Sequence, residues 1–291
     1  MLKKIVLFSL IILCFVLTYL CVKHEKIILK KDYKTVYNRV VSLAPSFSET
    51  MKSLELTDKL VGVTVNCEDR EFEKIAKVGS FAQINLEAVL ALKPDLVLAV
   101  PHVLVTPILQ KLSENNIEIF AQQPDTLHDI KSIISVLSTK FMIKNKGQKI
   151  INDLDYSINN VKNDLQNLQI NKKNRFIFAI SANPLVIAGK NSFSSQILEE
   201  AGLNNVASNT IAWPIWSIEK LIADPPDIII FSANQENFFY YQHLINKVAQ
   251  KKSDLKIITL KKYLFSSPSP KIIQDIDKFK KLILKEYTRA I

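Results

Sequence analysis

Hydrophobic positions along this chain fall into two kinds of pattern. The first is the short unbroken run: "RVVSLAP" from Arg39, "LVGVT" from Leu60, "DLVLAV" from Asp95, "IEIFA" from Ile117, "RFIFAIS" from Arg175 and "LKIITL" from Leu255. Runs without polar alternation belong to strands buried on both faces, as in parallel sheets covered by helices. The second pattern is the three-and-four spacing of amphipathic helices, which falls between the runs. It predicts helices over "SFSETMKSLEL" from Ser46, Leu86–Leu92, "VTPILQKLSENN" from Val105, Thr126–Phe141, "SFSSQILEEAGL" from Ser192 and Pro270–Tyr287. Ser46 with Glu49 three residues on reads as a capping box, Asn85 as the next N-cap and Pro94 as a stop. Gly202 closes its helix at the left-handed C′ position.

One stripe is longer than the rest. Ile150, Ile151, Leu154, Ile158, Val161, Leu165 and Leu168 recur mostly at spacings of three and four, with no proline or glycine after Gly147. A helix of about 24 residues reaches ~36 Å, enough to cross from one domain to another. On either side of it the same unit occurs twice. "NLEAVLALKPDLVLAV" from Asn85 returns in the second half as "SIEKLIADPPDIIIFS" from Ser217, aligning Glu87 with Glu219, Pro94 with Pro226 and Asp95 with Asp227. The expected architecture is α/β: two Rossmann-like lobes joined by one long backbone helix, preceded by an N-terminal hydrophobic segment. The boundaries are 1–22 for that segment, 23–37 for a linker, 38–143 for the first lobe, 144–170 for the helix and 171–291 for the second lobe.

Ile5 to Val22 is uncharged, follows Lys3 and Lys4, and precedes Lys23. Eighteen residues at ~1.5 Å each match the hydrocarbon core of a bilayer. This segment is expected to be an export signal or a retained anchor, either of which carries the rest of the chain across the membrane. The formal net charge of +10 is uneven: residues 1–37 carry +5 and residues 246–291 carry +8, leaving −3 between them. That distribution excludes a continuous basic nucleic-acid groove. Of three cysteines, only Cys67 lies beyond the hydrophobic segment, so no internal disulfide or four-cysteine metal site is available there. The five glycines form neither a dinucleotide fingerprint nor a P-loop, and no serine sits in a nucleophile elbow, which argues against an enzyme.

"RVVSLAPSFSETM", "VGVT", "KVGSFAQINLEAVLALKPDLVLA" and "WPIWSIEKLIADPPDIIIF" together resemble the helical-backbone (class III) periplasmic solute-binding proteins of ABC importers. The likeness runs from about Arg39 to Leu282. It implies a monomer in the periplasm, or on the outer face of the cytoplasmic membrane, that holds a bulky ligand between its lobes. The partners it implies are an ABC permease with its ATPase, and the ligand classes are corrinoids (vitamin B12), ferric siderophores and haem, none covalently attached. It also implies that Glu87 and Glu219, one per lobe, meet arginines on the permease. The bare reading of each glutamate is a negative charge in the first turn of a helix.

Ligand contacts are expected from loops at the C-terminal ends of the strands. The candidates are Ser46 and Phe47, Asn66 with Cys67, Phe81, Trp213, Trp216 and Phe265. Asn66, Val100, Val186 and Leu264 stand where cobalamin-binding members carry aromatic contacts, whereas Phe81 keeps an aromatic ring where they have tryptophan. His102, His128 and His243 are scattered, so no resident metal is expected. Two further readings remain open at this point: a ferric-siderophore or haem carrier of the same fold, and a membrane-tethered sensor.

Overall fold

The computed structural model describes residues 37–168, 174–233, 238–261, 264–265 and 267–288. The expected hydrophobic segment and most of the linker lie outside them. Val36–Ile291 form one unit containing two separate sheets. The first holds β1 (Val40–Ser42), β2 (Leu60–Val63), β3 (Ala76–Lys77), β4 (Leu96–Ala99) and β5 (Glu118–Ala121) in the order β3-β2-β1-β4-β5, all parallel. Its helices are α1 (Pro45–Ser53), α2 (Leu86–Ala91), α3 (Thr106–Glu114) and α4 (Leu127–Lys140). Helix α5 (Lys144–Asn167) then leads to the second sheet.

That sheet holds β6 (Arg175–Ala182), β7 (Leu185–Ile187), β8 (Asn204–Asn205), β9 (Ile228–Ala233) and β10 (Lys256–Lys261). The order is β10-β9-β6-β7, with β8 also paired to β6, and only β7 is antiparallel. Helices α6 (Phe193–Glu200), α7 (Ile218–Ala223), α8 (Phe238–Ala249) and α9 (Ile272–Thr288) complete the second lobe. The internal repeat is visible in the register. Val40 of β1 is paired with Leu96 of β4, and Phe176 of β6 with Ile228 of β9, which holds the place of Leu96 in the second copy of the repeat.

Alternate strand residues point to opposite faces, and the two faces feed different cores. Val40, Leu96 and Leu98 of one sheet, and Phe176, Phe178, Ile228 and Ile230 of the other, enter a single cluster shared with Leu154, Ile158, Val161 and Leu165 of α5. The long-helix stripe is therefore the wall on which both lobes rest. Each such side chain, fully buried, contributes about 1.5–3 kcal/mol. The opposite faces have private cores: Val41, Val97 and Ala99 under α2 and α3 in the first lobe, and Ile177, Ile229 and Phe231 under α7 and α8 in the second.

Local expectations fare unevenly. Helix α6 ends at Glu200 with Ala201 as C-cap, and Gly202 takes φ +95°, with its N–H donating to the Glu199 carbonyl (2.9 Å) and that of Leu203 to the Leu198 carbonyl (3.0 Å). This is the Schellman arrangement anticipated for that glycine. The capping box at Ser46 does not form. Helix α1 begins one residue earlier with Pro45 in its first turn and Ala44 as N-cap, without any side-chain cap. Proline suits the first turn because its missing N–H would have had no helical partner. A true capping box occurs instead at Thr126 and Asp129.

Candidate binding cleft and its acidic lining

In a βαβ unit the helix runs back antiparallel to its strands, so loops at strand C-termini and helix N-termini share one edge. A cavity of about 620 Å³ opens on that edge of the first sheet. Ala44, Pro45, Ser46 and Glu49 reach it after β1, Asn66 to Asp69 after β2, Phe81 after β3, Val100 after β4, and Gln123 with Pro124 after β5. Ser267, Pro268 and Lys271, between β10 and α9 of the second lobe, complete the lining. The cavity therefore lies between the lobes.

Of the residues expected at a ligand, Ser46, Asn66, Cys67 and Phe81 are in this lining. Asn66 Oδ1 accepts the Phe81 backbone N–H at 2.7 Å, which fixes the loop carrying the ring. His102 packs beside that ring at 5.0 Å between centroids, and its Nε2 lies 3.3 Å from the Phe81 carbonyl oxygen. Phe47 and Phe265 are each only 1% exposed and belong to the shared core, which corrects the expectation that they face a ligand. Phe47 points inward because it shares the buried face of α1 with Met51. The Phe265 ring packs edge-on against Phe279 at 5.7 Å. The Phe265 backbone has a left-handed φ of +58°, its N–H donating to Asp275 Oδ2 (3.2 Å) and its carbonyl accepting from the Ser194 hydroxyl (3.2 Å).

Trp213 and Trp216 do not line the cavity. They belong to a segment laid alongside β7, where the Gly189 N–H donates to the Ala212 carbonyl (2.8 Å) and the Trp216 N–H to that of Leu185 (2.8 Å). Trp216 packs on the second-lobe core with its indole N–H unpartnered, while Trp213 is exposed. Gly189 permits this close approach: a Cβ there would fall 2.0 Å from the Ile211 carbonyl oxygen.

Reading the sequence for aromatic and small polar contacts passed over Glu49, Glu68, Asp69 and Lys271. Lys271 Nζ lies 3.9 Å from Glu49 Oε1, an ion pair spanning the two lobes. Burial pushes the Glu49 carboxyl up, and Lys271 partly offsets the shift. Asp69 is held below the ordinary carboxylate range by a hydrogen bond from Lys52 at 2.6 Å. The signal that could have found these residues is positional, since each follows the end of a strand.

The duplicated glutamates occupy matching places. Glu87 lies in the first turn of α2, capped by Asn85 Oδ1 accepting from the Ala88 N–H (3.0 Å). Glu219 lies in the first turn of α7, capped by Ser217 Oγ accepting from the Lys220 N–H (3.2 Å). Both glutamates are exposed. The Ser217 hydroxyl also donates to Glu219 Oε2 at 2.7 Å and lowers its pKa. At the far end of each helix an arginine acts as a clamp. The Arg39 guanidinium donates to the Leu92 carbonyl (2.6 Å), and that of Arg175 to Asp224, which holds the place of Leu92 in the second copy (2.6 Å). Behind each clamp the paired Pro-Asp aspartate accepts backbone N–H bonds from the start of the lobe's first strand: Asp95 from Asn38 and Arg39, Asp227 from Arg175. The repeat thus fixes a short helix at its base while its acidic tip stays exposed.

Two α/β lobes on a single long helix, with a cavity between them, define a class III solute-binding protein. The chain matches the model of the periplasmic binding protein family over residues 40–252, and it belongs to that family. Members are non-enzymatic components of transport. It is 33% identical to the vitamin B12-binding protein of Vibrio parahaemolyticus over 67% of this chain and 70% of that one. It is 26% identical to an ABC transporter substrate-binding lipoprotein of Bacillus subtilis, over 71% of this chain and 66% of that one. In fold it is similar to the vitamin B12-binding protein of Vibrio cholerae (TM-score 0.70, 23% identity, 86% of this chain and 98% of that one). The periplasmic haem-binding protein of the same species is alike in fold (TM-score 0.71, 19% identity, 84% and 98%).

Proposed function

We propose that this protein captures a bulky metal chelate, a corrinoid or an iron chelate, in the cleft between its lobes and delivers it to an ABC permease and its ATPase. The observation that carries the reading is the 620 Å³ cavity at the strand ends, walled by Ser46, Asn66 and Phe81 on one side and Ser267, Pro268 and Lys271 on the other. A volume of that order is in the range of ordinary ligand sites. The likeness to vitamin B12-binding proteins supports the corrinoid, and the fold shared with haem-binding proteins supports the wider class. Glu87 and Glu219 serve as the docking contacts, since exposed carboxylates at matching places on two lobes suit bidentate arginine forks on a two-fold partner.

The test is charge reversal. Glu87→Lys and Glu219→Lys, alone and together, should abolish uptake of the chelate in cells while leaving the purified protein's ligand affinity within about twofold. Uptake that survives the double reversal refutes the docking role. A protein that binds no corrinoid, haem or ferric siderophore refutes the function itself.

A further inference from the structure

We infer that the cleft sorts metal chelates by the charge at their periphery, admitting uncharged or cationic guests and excluding those rimmed with carboxylates or catecholates. This inference rests on the cleft being the ligand site. The cavity between the strand ends defines that site, and the side chains only set its charge. Among the described lining residues three are acidic, Glu49, Glu68 and Asp69, and one is basic, Lys271. Lys271 is committed to Glu49 across the lobes. Lys52, which pairs with the lining residue Asp69 (2.6 Å), is also held by Glu71 (3.1 Å), a carboxylate outside the lining. The lining thus carries two negative charges in excess, and protonating Glu49 would leave it negative still. The remaining lining offers hydrogen bonds without charge, from Ser46, Asn66, Gln123 and Ser267, beside the faces of Phe81 and three prolines. That combination suits a large guest edged with carboxamides or carrying net positive charge. A porphyrin with free propionates, or a tris-catecholate iron complex, brings its anionic groups against Glu68 and Asp69.

The magnitude follows from Coulomb's law: two like charges about 8 Å apart in an effective dielectric of about 20–40 lose roughly five- to thirtyfold in affinity. The decisive comparison keeps metal and macrocycle constant. The full-length chain in detergent is titrated with cobinamide, whose rim carries carboxamides, and with cobyrinic acid, whose rim carries carboxylates. Haemin, a cationic ferric hydroxamate and a ferric catecholate are titrated alongside. Cobinamide is expected to bind roughly five- to thirtyfold more tightly than cobyrinic acid at low salt for each carboxylate held against the lining. Raising the salt, or substituting Glu49→Gln with Glu68→Gln, should narrow the gap, circular dichroism confirming that the variant is folded. Binding of the hydroxamate alone would also uphold the charge rule. Equal affinity for the two corrins, a preference for the carboxylate, or binding of haemin or the catecholate in place of the uncharged guests overturns the sorting rule and leaves the transport reading standing. Failure of every probe overturns both.

Discussion

Asp227→Ala tests whether the repeated Pro-Asp element holds each lobe's base together. The Asp227 side chain is 9% exposed and takes two donors, the Arg175 backbone N–H at 2.9 Å and the Lys252 ammonium, which is itself 21% exposed. Losing a hydrogen bond to a charged group costs about 1.5–3 kcal/mol. Stranding Lys252 adds about 1 kcal/mol, well below the cost in a fully buried pair because water reaches the ammonium. The sum is about 2.5–4 kcal/mol. Asp95→Ala removes bonds to the N–H groups of Asn38 (2.9 Å) and Arg39 (3.1 Å), both on exposed residues that water can rehydrate. Those two bonds account for about 1–2 kcal/mol. Both tryptophans, Trp213 and Trp216, lie in the second lobe. Urea unfolding followed by tryptophan fluorescence therefore reports that lobe, and circular dichroism reports both. Asp227→Ala should lower the fluorescence midpoint more than Asp95→Ala does. Asp95→Ala shifts the fluorescence signal only if the lobes unfold together. The reasoning is refuted if Asp227→Ala costs under about 0.5 kcal/mol, the scale of an ordinary surface substitution.

Two further outcomes follow from the same geometry. Gly189→Ala drives a methyl group into the Ile211 carbonyl at 2.0 Å and the Thr210 hydroxyl at 2.4 Å, so the 210–214 segment has to shift at a cost of about 1–3 kcal/mol; an unchanged tryptophan emission spectrum and urea midpoint would contradict this. Burial raises the Asp275 carboxyl above its ordinary 3.8, so its ionisation opposes folding at neutral pH and the penalty disappears as pH falls through the folded value. Asp275→Asn keeps an acceptor for the Phe265 N–H and should raise the urea midpoint at pH 7, the gain fading toward pH 3.8; a lower midpoint at pH 7 would mean that Lys278, 3.7 Å away, outweighs burial.

The parts of this protein that were legible in its sequence are those written in periodicity. The stripe from Ile150 to Leu168 becomes α5 because a helix with one apolar side has to bury it, and two sheets supply the cover. The Glu-helix, Pro-Asp and strand unit recurs because each lobe uses the same base clamp. Ser46 misled because its pattern fits a cap equally well, but Pro45 entered the helix first. Phe47 and Phe265 misled because an aromatic near a strand end can turn toward either core or cleft, and the choice depends on partners further along the chain, Phe120 for Phe47 and Phe279 for Phe265. The acidic lining was invisible for the opposite reason. The sequence pattern offers Glu49 as half of a helix cap and singles out neither Glu68 nor Asp69, and only the convergence of strand ends with Lys271, close to the other end of the chain, gives them a common side.

The core that runs without a break from one sheet through α5 to the other has a mechanical consequence. Changing the angle between the lobes would mean sliding packed leucines and isoleucines past one another, where a pair of loose loops would simply flex. A guest therefore meets walls already near their working separation and gives up little binding energy to draw them together. On the transport reading proposed above, release then has no door of its own to swing: the walls would have to be pried, with leverage from a partner that grips both lobes at once.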